Sequence, residues 1–115
     1  MNNIRERANA HCLTLPGAAV SDPWGGGHDC WKVGDKMFAL MGAKGLGVTI
    51  KCADTGEARM LIEAARAERA PYLSRGGWVL VPWGRMEDDE LIQRITRSYE
   101  VVRRSLPKQL RDKLA

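Results

Sequence analysis

At 115 residues and a formal charge of +4, the chain is long enough to bury one core without metal or disulfide staples and too short for two domains. A hydrophobic fraction of 44% beside 28% charged residues excludes a disordered or low-complexity polymer, and no apolar run approaches the roughly 20 residues of a membrane-spanning helix. One domain over residues 1–115 is therefore expected. Its charged opening, Ile4-Arg5-Glu6-Arg7, is unlike a signal peptide, so the expected location is the cytoplasm, with no membrane partner.

The first predicted element is a helix over residues 3–14, because Ile4, Ala8, Cys12 and Leu15 fall on one stripe. Leu15-Pro16-Gly17 ends it. After Pro23-Trp24, the run Gly25-Gly26-Gly27 reads as a loop. It lacks both the Lys-Ser/Thr ending of a P-loop and the spacing of a dinucleotide fingerprint. Residues 30–33 and 36–40 then form two strand-like runs around Gly34-Asp35, a hairpin with a two-residue turn. In that register Trp31 opposes Phe38, and Trp31, Val33, Lys36 and Phe38 share the core side, with Cys30, Lys32, Met37 and Ala39 opposite.

A second turn at 42–45 leads to a third strand, where Val48 and Ile50 face one way and Thr49 and Lys51 the other. Asp54 and Glu57 have the spacing of a helix cap with a reaching carboxylate, which predicts a helix from there to about residue 69, ended by Pro71. Trp78-Val79-Leu80-Val81 is a further strand. The last long helix opens on Glu87-Asp88-Asp89-Glu90, where the helix dipole favours carboxylates. Leu91, Ile92, Ile95, Tyr99, Val102 and Leu106 form its packing stripe, and Arg94, Arg97 and Arg104 lie nearly opposite. Pro107 breaks the helix.

Three cysteines, Cys12, Cys30 and Cys52, form no CxxC pair, so reduced thiols are expected rather than a disulfide framework or a zinc site. His28-Asp29-Cys30 offers three ligand types, but nothing elsewhere completes a coordination sphere; no metal or cofactor is expected. The positive charge is uneven. Residues 91–115 carry seven basic and two acidic residues, a net +5, which leaves −1 for the rest of a chain of +4. Such a segment suits a phosphate backbone, and it equally suits a solvated helix face.

Leu15-Pro16-Gly17, Pro23-Trp24-Gly25, Lys32-Val33-Gly34-Asp35-Lys36-Met37-Phe38-Ala39, residues 48–51, Pro71-Tyr72, Gly77-Trp78-Val79 and Ser98-Tyr99 occur in this order. Together they resemble the MmcQ/YjbR-like family of small proteins, often labelled DNA-binding, over most of the chain. The resemblance implies an α+β fold of frataxin-like or double-wing architecture, an antiparallel sheet packed under the first and last helices, with an added strand around residues 20–24. Frataxin-like proteins bind iron through an acidic first helix; here Glu6 stands between Arg5 and Arg7, and iron is not expected.

Three readings of function remain. In the first, Arg94, Arg97, Arg104 and Lys108 contact DNA phosphates, and the hairpin carrying Lys32 and Lys36 acts as a wing, joined by Lys44 at the next turn. In the second, Trp24, His28, Lys36, Lys51, Trp78, Ser98 and Tyr99 converge into a pocket for a small anionic ligand. In the third, the basic helix meets an acidic protein partner. An enzyme is not expected, since HExxH, GxSxG, P-loop and Cys-His patterns are all missing from the sequence.

Overall fold

A computed structural model describes residues 4–71, 73 and 75–114; Asn3 of the expected first helix and Tyr72 of the Pro71-Tyr72 pair lie outside the described residues. The elements in chain order are α1 (Ile4–Thr14), β1 (Ala18–Ser21), β2 (Asp29–Val33), β3 (Lys36–Met41), β4 (Gly47–Lys51), α2 (Thr55–Glu63), β5 (Glu68–Arg69), β6 (Trp78–Pro82), α3 (Asp88–Arg104) and α4 (Lys108–Asp112). The strands form one antiparallel sheet in the order β1-β2-β3-β4-β6-β5. The fold is α+β, with helices from both ends of the chain on the sheet.

α1 buries Ile4, Ala8 and Cys12, the stripe that the periodicity predicts. α3 buries Leu91, Ile95, Tyr99 and Val102, and also Ser98. Both helices and the inner face of α2 pack on one side of the sheet, against Trp31, Val33, Phe38, Met41, Val48, Ile50, Val79 and Val81. The strand alternation read for β4 is the observed one, with Val48 and Ile50 inward, and in β6 Val79 and Val81 face the same way.

The β2–β3 hairpin turns through Gly34 and Asp35 at φ 57° and 67°, the left-handed pair that a twisted two-residue connection requires. Gly34 has a second reason to lack a side chain: a Cβ there would stand 2.8 Å from Leu106 Cδ1. The expected Trp31–Phe38 pairing is corrected by a bulge. Val33 faces Lys36 and Lys32 faces Met37, but Trp31 faces Ala39, so Phe38 is an extra residue in β3. A bulge turns two successive side chains to the same side. Phe38 and Ala39 are accordingly both fully buried, and Ala39 joins the core instead of the opposite face.

The bulge ends the β3–β4 ladder at Ala39 and Ile50. Ser98 fills the gap from α3: its hydroxyl donates to Phe38 O (2.7 Å) and accepts from Lys51 N (2.8 Å). Two buried backbone groups are satisfied by one side chain.

α2 stops well short of the expected residue 69. Asp54 caps its start, accepting from Glu57 N at 2.8 Å, as the spacing predicts, while Glu57 Oε1 reaches one residue past the cap and accepts from Ala53 N at 3.3 Å. At the other end Ala65 adopts φ 59°, while Arg66 N donates to Leu61 O and Ala65 N to Ile62 O. This is a Schellman ending with alanine where glycine is usual. The freed chain forms β5 against β6. The added strand lies at Ala18–Ser21 rather than around residues 20–24, paired with β2. Among the described residues no helix is long and apolar enough to cross a membrane.

Candidate functional site

Two clefts lie at opposite ends of β3. The first sits at the corner between α3 and α4. Arg103, Arg104, Lys108 and Arg111 line a cleft of about 680 Å³ together with Glu100 and Asp112. Arg103 lies 6.0 Å from the centre of the Tyr99 ring, a cation–π contact that holds its stem along the packed side of α3. Among the described residues none of these four cations forms an ion pair. The hairpin tip reaches the same corner. Gly34 abuts Leu106, and Lys32 and Asp35 share a hollow with Leu110 of α4. Lys36, next to the turn, is exposed.

Arg94 and Arg97 are placed differently from the open basic face expected of them. Glu57, fixed at the start of α2 by the cap, forms ion pairs with Arg94, 3.3 Å from Oε1, and with Arg97, 3.2 Å from Oε2. Both arginines are held as a structural tie between α2 and α3. The acidic start of α3 is also answered within the chain: Arg7 pairs with Asp88 and Asp89, and Arg66 with Glu90. Lys44 lies beyond the far end of β3, six residues of strand away from the hairpin turn, about 20 Å at 3.3 Å per residue.

The second cleft, of about 700 Å³, occupies the face of the sheet that the helices leave open. Its floor is a row across three strands, Leu40 beside Thr49 beside Leu80. One wall is the loop that carries Trp24 and His28, whose rings meet edge to face at 5.2 Å. The other walls come from the β3–β4 turn, with Lys44 and Leu46, and from Pro71. In the triple-glycine loop, the Gly27 and His28 amides donate to the Asp22 carboxylate at 2.9 and 3.2 Å. Those bonds, that from Gly27 first, hold the Asp22 carboxyl below its ordinary value. The amides that would cradle a phosphate already hold an anion of the chain itself.

A model of the YjbR family matches residues 13–101. The chain belongs to the YjbR family. Its fold is shared by Deinococcus radiodurans protein DR2400, a protein with a DUF419 domain, whose crystal structure superposes with a TM-score of 0.84 at 22% identity, covering 96% of this chain and 86% of that one. No match is found among curated proteins.

On this YjbR frame, the seven residues expected to form an anion pocket separate into groups. Trp24 and His28 line the open-face cleft. Lys51 and Trp78 face each other on β4 and β6, with the ammonium 5.7 Å from the ring centre. Ser98 and Tyr99 belong to the helix layer on the other side of the sheet, where Ser98 bridges backbone and Tyr99 donates to Pro16 O at 2.5 Å. Lys36 stands at the hairpin turn. Helix and sheet periodicity place each residue on a face but leave open which faces meet.

The sequence counts Arg103 and Arg111 in the basic segment without marking them as site residues, shows Glu57 only as a cap, and gives Arg5 no partner. Arg5 is the least legible of them, since it reaches from α1 to Asp29 (3.0 Å), Gly27 O (3.0 Å) and Gly42 O (2.8 Å). His28, Asp29 and Cys30 do not converge. His28 Nδ1 bonds Gly25 O, Asp29 accepts from Arg5 and Asn9, and Cys30 is buried beside Leu40.

Proposed function

We propose that this YjbR protein is a nucleic-acid-binding module that holds phosphate backbone at the α3–α4 corner through electrostatic, largely sequence-independent contacts. The observation that carries the reading is the gathering of Arg103, Arg104, Lys108 and Arg111 around one cleft with no ion-pair partner among the described residues. Each phosphate they neutralise releases condensed counterions, which gives affinity that falls steeply with salt. Lys32 and Lys36 on the adjoining hairpin extend the surface as a wing. Glu100 and Asp112 border the same cleft and keep the contact weak.

Duplex backbone suits this corner better than unstacked bases. Trp31 is 3% exposed and Trp78 is half-buried beneath Lys51, so neither offers a stacking platform there. The mode of action in this reading is binding, not catalysis. Burial pushes the Cys12 thiol up to about 12 and Cys52 to about 11, which makes both poor nucleophiles at neutral pH. The cytoplasm, where nucleic acid is accessible, is the location that goes with this function.

Fluorescence anisotropy with random-sequence duplex DNA across a salt series tests the proposal. Wild type should show a steep log–log slope, and Arg104/Lys108/Arg111→Ala should flatten it by about 0.9 for each cation that met a phosphate. Arg94/Arg97→Ala should leave the slope nearly as it was. Equal slopes for wild type and the corner variant would remove the reading, and polyglutamate competing as well as DNA would favour an acidic protein partner.

A further inference from the structure

We infer that the open-face cleft is a binding site for a small planar carboxylic acid, separate from the cationic corner. Its floor of Leu40, Thr49 and Leu80 spans two interstrand spacings, about 10 Å, close to the length of a bicyclic aromatic ring. The cleft of about 700 Å³ lies within the range of about 300–1,000 Å³ usual for small-molecule sites. Most of the lining is apolar, and its polar groups are few and uncommitted. The Thr49 hydroxyl has no partner among the described residues although Thr49 is only 6% exposed, and it opens into the cleft. Lys44 likewise forms no ion pair among them. A carbonyl only accepts, so His28 Nδ1 donates to Gly25 O, and Nε2 has no partner among the described residues.

Charge selects an acid. Among the described lining residues there is one ammonium, Lys44, and no carboxylate, so a ligand with an apolar body and a single negative group leaves nothing unpaired. The site is also braced. Arg5 ties the carbonyl of Gly27, in the Trp24–His28 wall, to that of Gly42, in the Lys44 wall, and its own charge is answered by Asp29. Both walls are thereby set from α1, and pre-set walls lower the ordering cost of binding. A second copy of the chain fits the cleft poorly, because two identical concave surfaces cannot fill one another and would set Lys44 toward its own counterpart.

The test is an NMR titration of the ¹⁵N-labelled full chain with 1-naphthoate, 1-naphthamide and decanoate. Naphthoate should shift amides of residues 24–28 and 40–49 together with Leu80, and leave 103–111 unmoved. Lys44→Gln, a change at an exposed position, should weaken naphthoate about fivefold or more, the scale of one partly exposed charge contact, and naphthamide should bind wild type no better than that variant binds the acid. Leu40→Trp should fill the floor and abolish binding. Equal affinity for acid and amide, shifts centred on residues 103–111, or tighter binding of decanoate than of naphthoate would each overturn the inference. So would shifts of the cleft amides on dilution of the protein alone, which would assign the face to a second copy. Because the duplex experiment reads the α3–α4 corner, either site can fail without the other.

Discussion

Ser98 reaches from α3 into the sheet and replaces the ladder bond that the Phe38 bulge removes between β3 and β4. Ser98→Ala would leave the Phe38 carbonyl and the Lys51 amide buried without partners, at about 1–3 kcal/mol for each orphaned group. We expect a loss of about 2–4 kcal/mol on that basis, read as a lower urea midpoint with little change in slope. A shift below about 0.5 kcal/mol, the scatter of ordinary surface substitutions, would mean that water takes over the bridge. Nothing in the sequence announces this role. A serine among hydrophobic positions at helical spacing shows only which face it occupies, and the bulge that requires it arises from the register of two strands.

At the scale of the element, the loop after β1 is built around one carboxylate. Asp22 accepts from the Gly27 and His28 amides and lies 3.4 Å from His28 Nδ1. Its pKa is lowered from 3.8 in the folded chain. A lowered acid stabilises the folded loop above its ordinary value and loses that contribution as pH falls through the folded value. The loop should therefore keep its conformation through the ordinary aspartate range and open only at more acid pH, seen as movement of the Gly27 and His28 amide resonances. Asp22→Asn should abolish that transition, and an identical acid transition in the variant would show that another group is responsible. Strands β2, β3, β4 and β6 and the α2 cap were legible because strand composition, alternation and the Asp54–Glu57 spacing are local signals. The end of α2 was not, because its left-handed residue is Ala65 and no glycine marks the stop.

Across the whole molecule, positive charge is sorted by Glu57. It spends one carboxylate beside the cap of α2 and on two arginines of α3, so the basic surface shrinks from the expected Arg94–Arg97–Arg104 face to the last turn of α3, α4 and the hairpin tip. Glu57→Gln keeps the size and the capping oxygen, raises the formal charge from +4 by one, and frees Arg94 and Arg97. If the corner binds duplex DNA, this variant should bind more tightly with a steeper salt dependence, by up to about 0.9 in slope per released arginine. It should also be less stable, because the ion pairs that tie α2 to α3 are lost. Unchanged DNA affinity in a folded variant would confine phosphate contact to residues beyond Arg97.

Composition, periodicity and cap spacing by themselves determined the α+β class, the hairpin and its turn, the inward residues of α1, β4 and α3, and the excess of charge near the end of the chain. Each depends on residues within one or two helical turns or on strand alternation, where the chain's own geometry decides. Only the tertiary structure decided which charges stay free, how β2 and β3 slip past Phe38, and that Trp24 and His28 meet Leu40, Thr49 and Leu80 across an uncovered sheet. Those outcomes depend on contacts between residues far apart in sequence, such as Arg5 with Gly42 and Glu57 with Arg97. An arginine on an exposed helix face looks the same in sequence whether or not a carboxylate from another element has reached it.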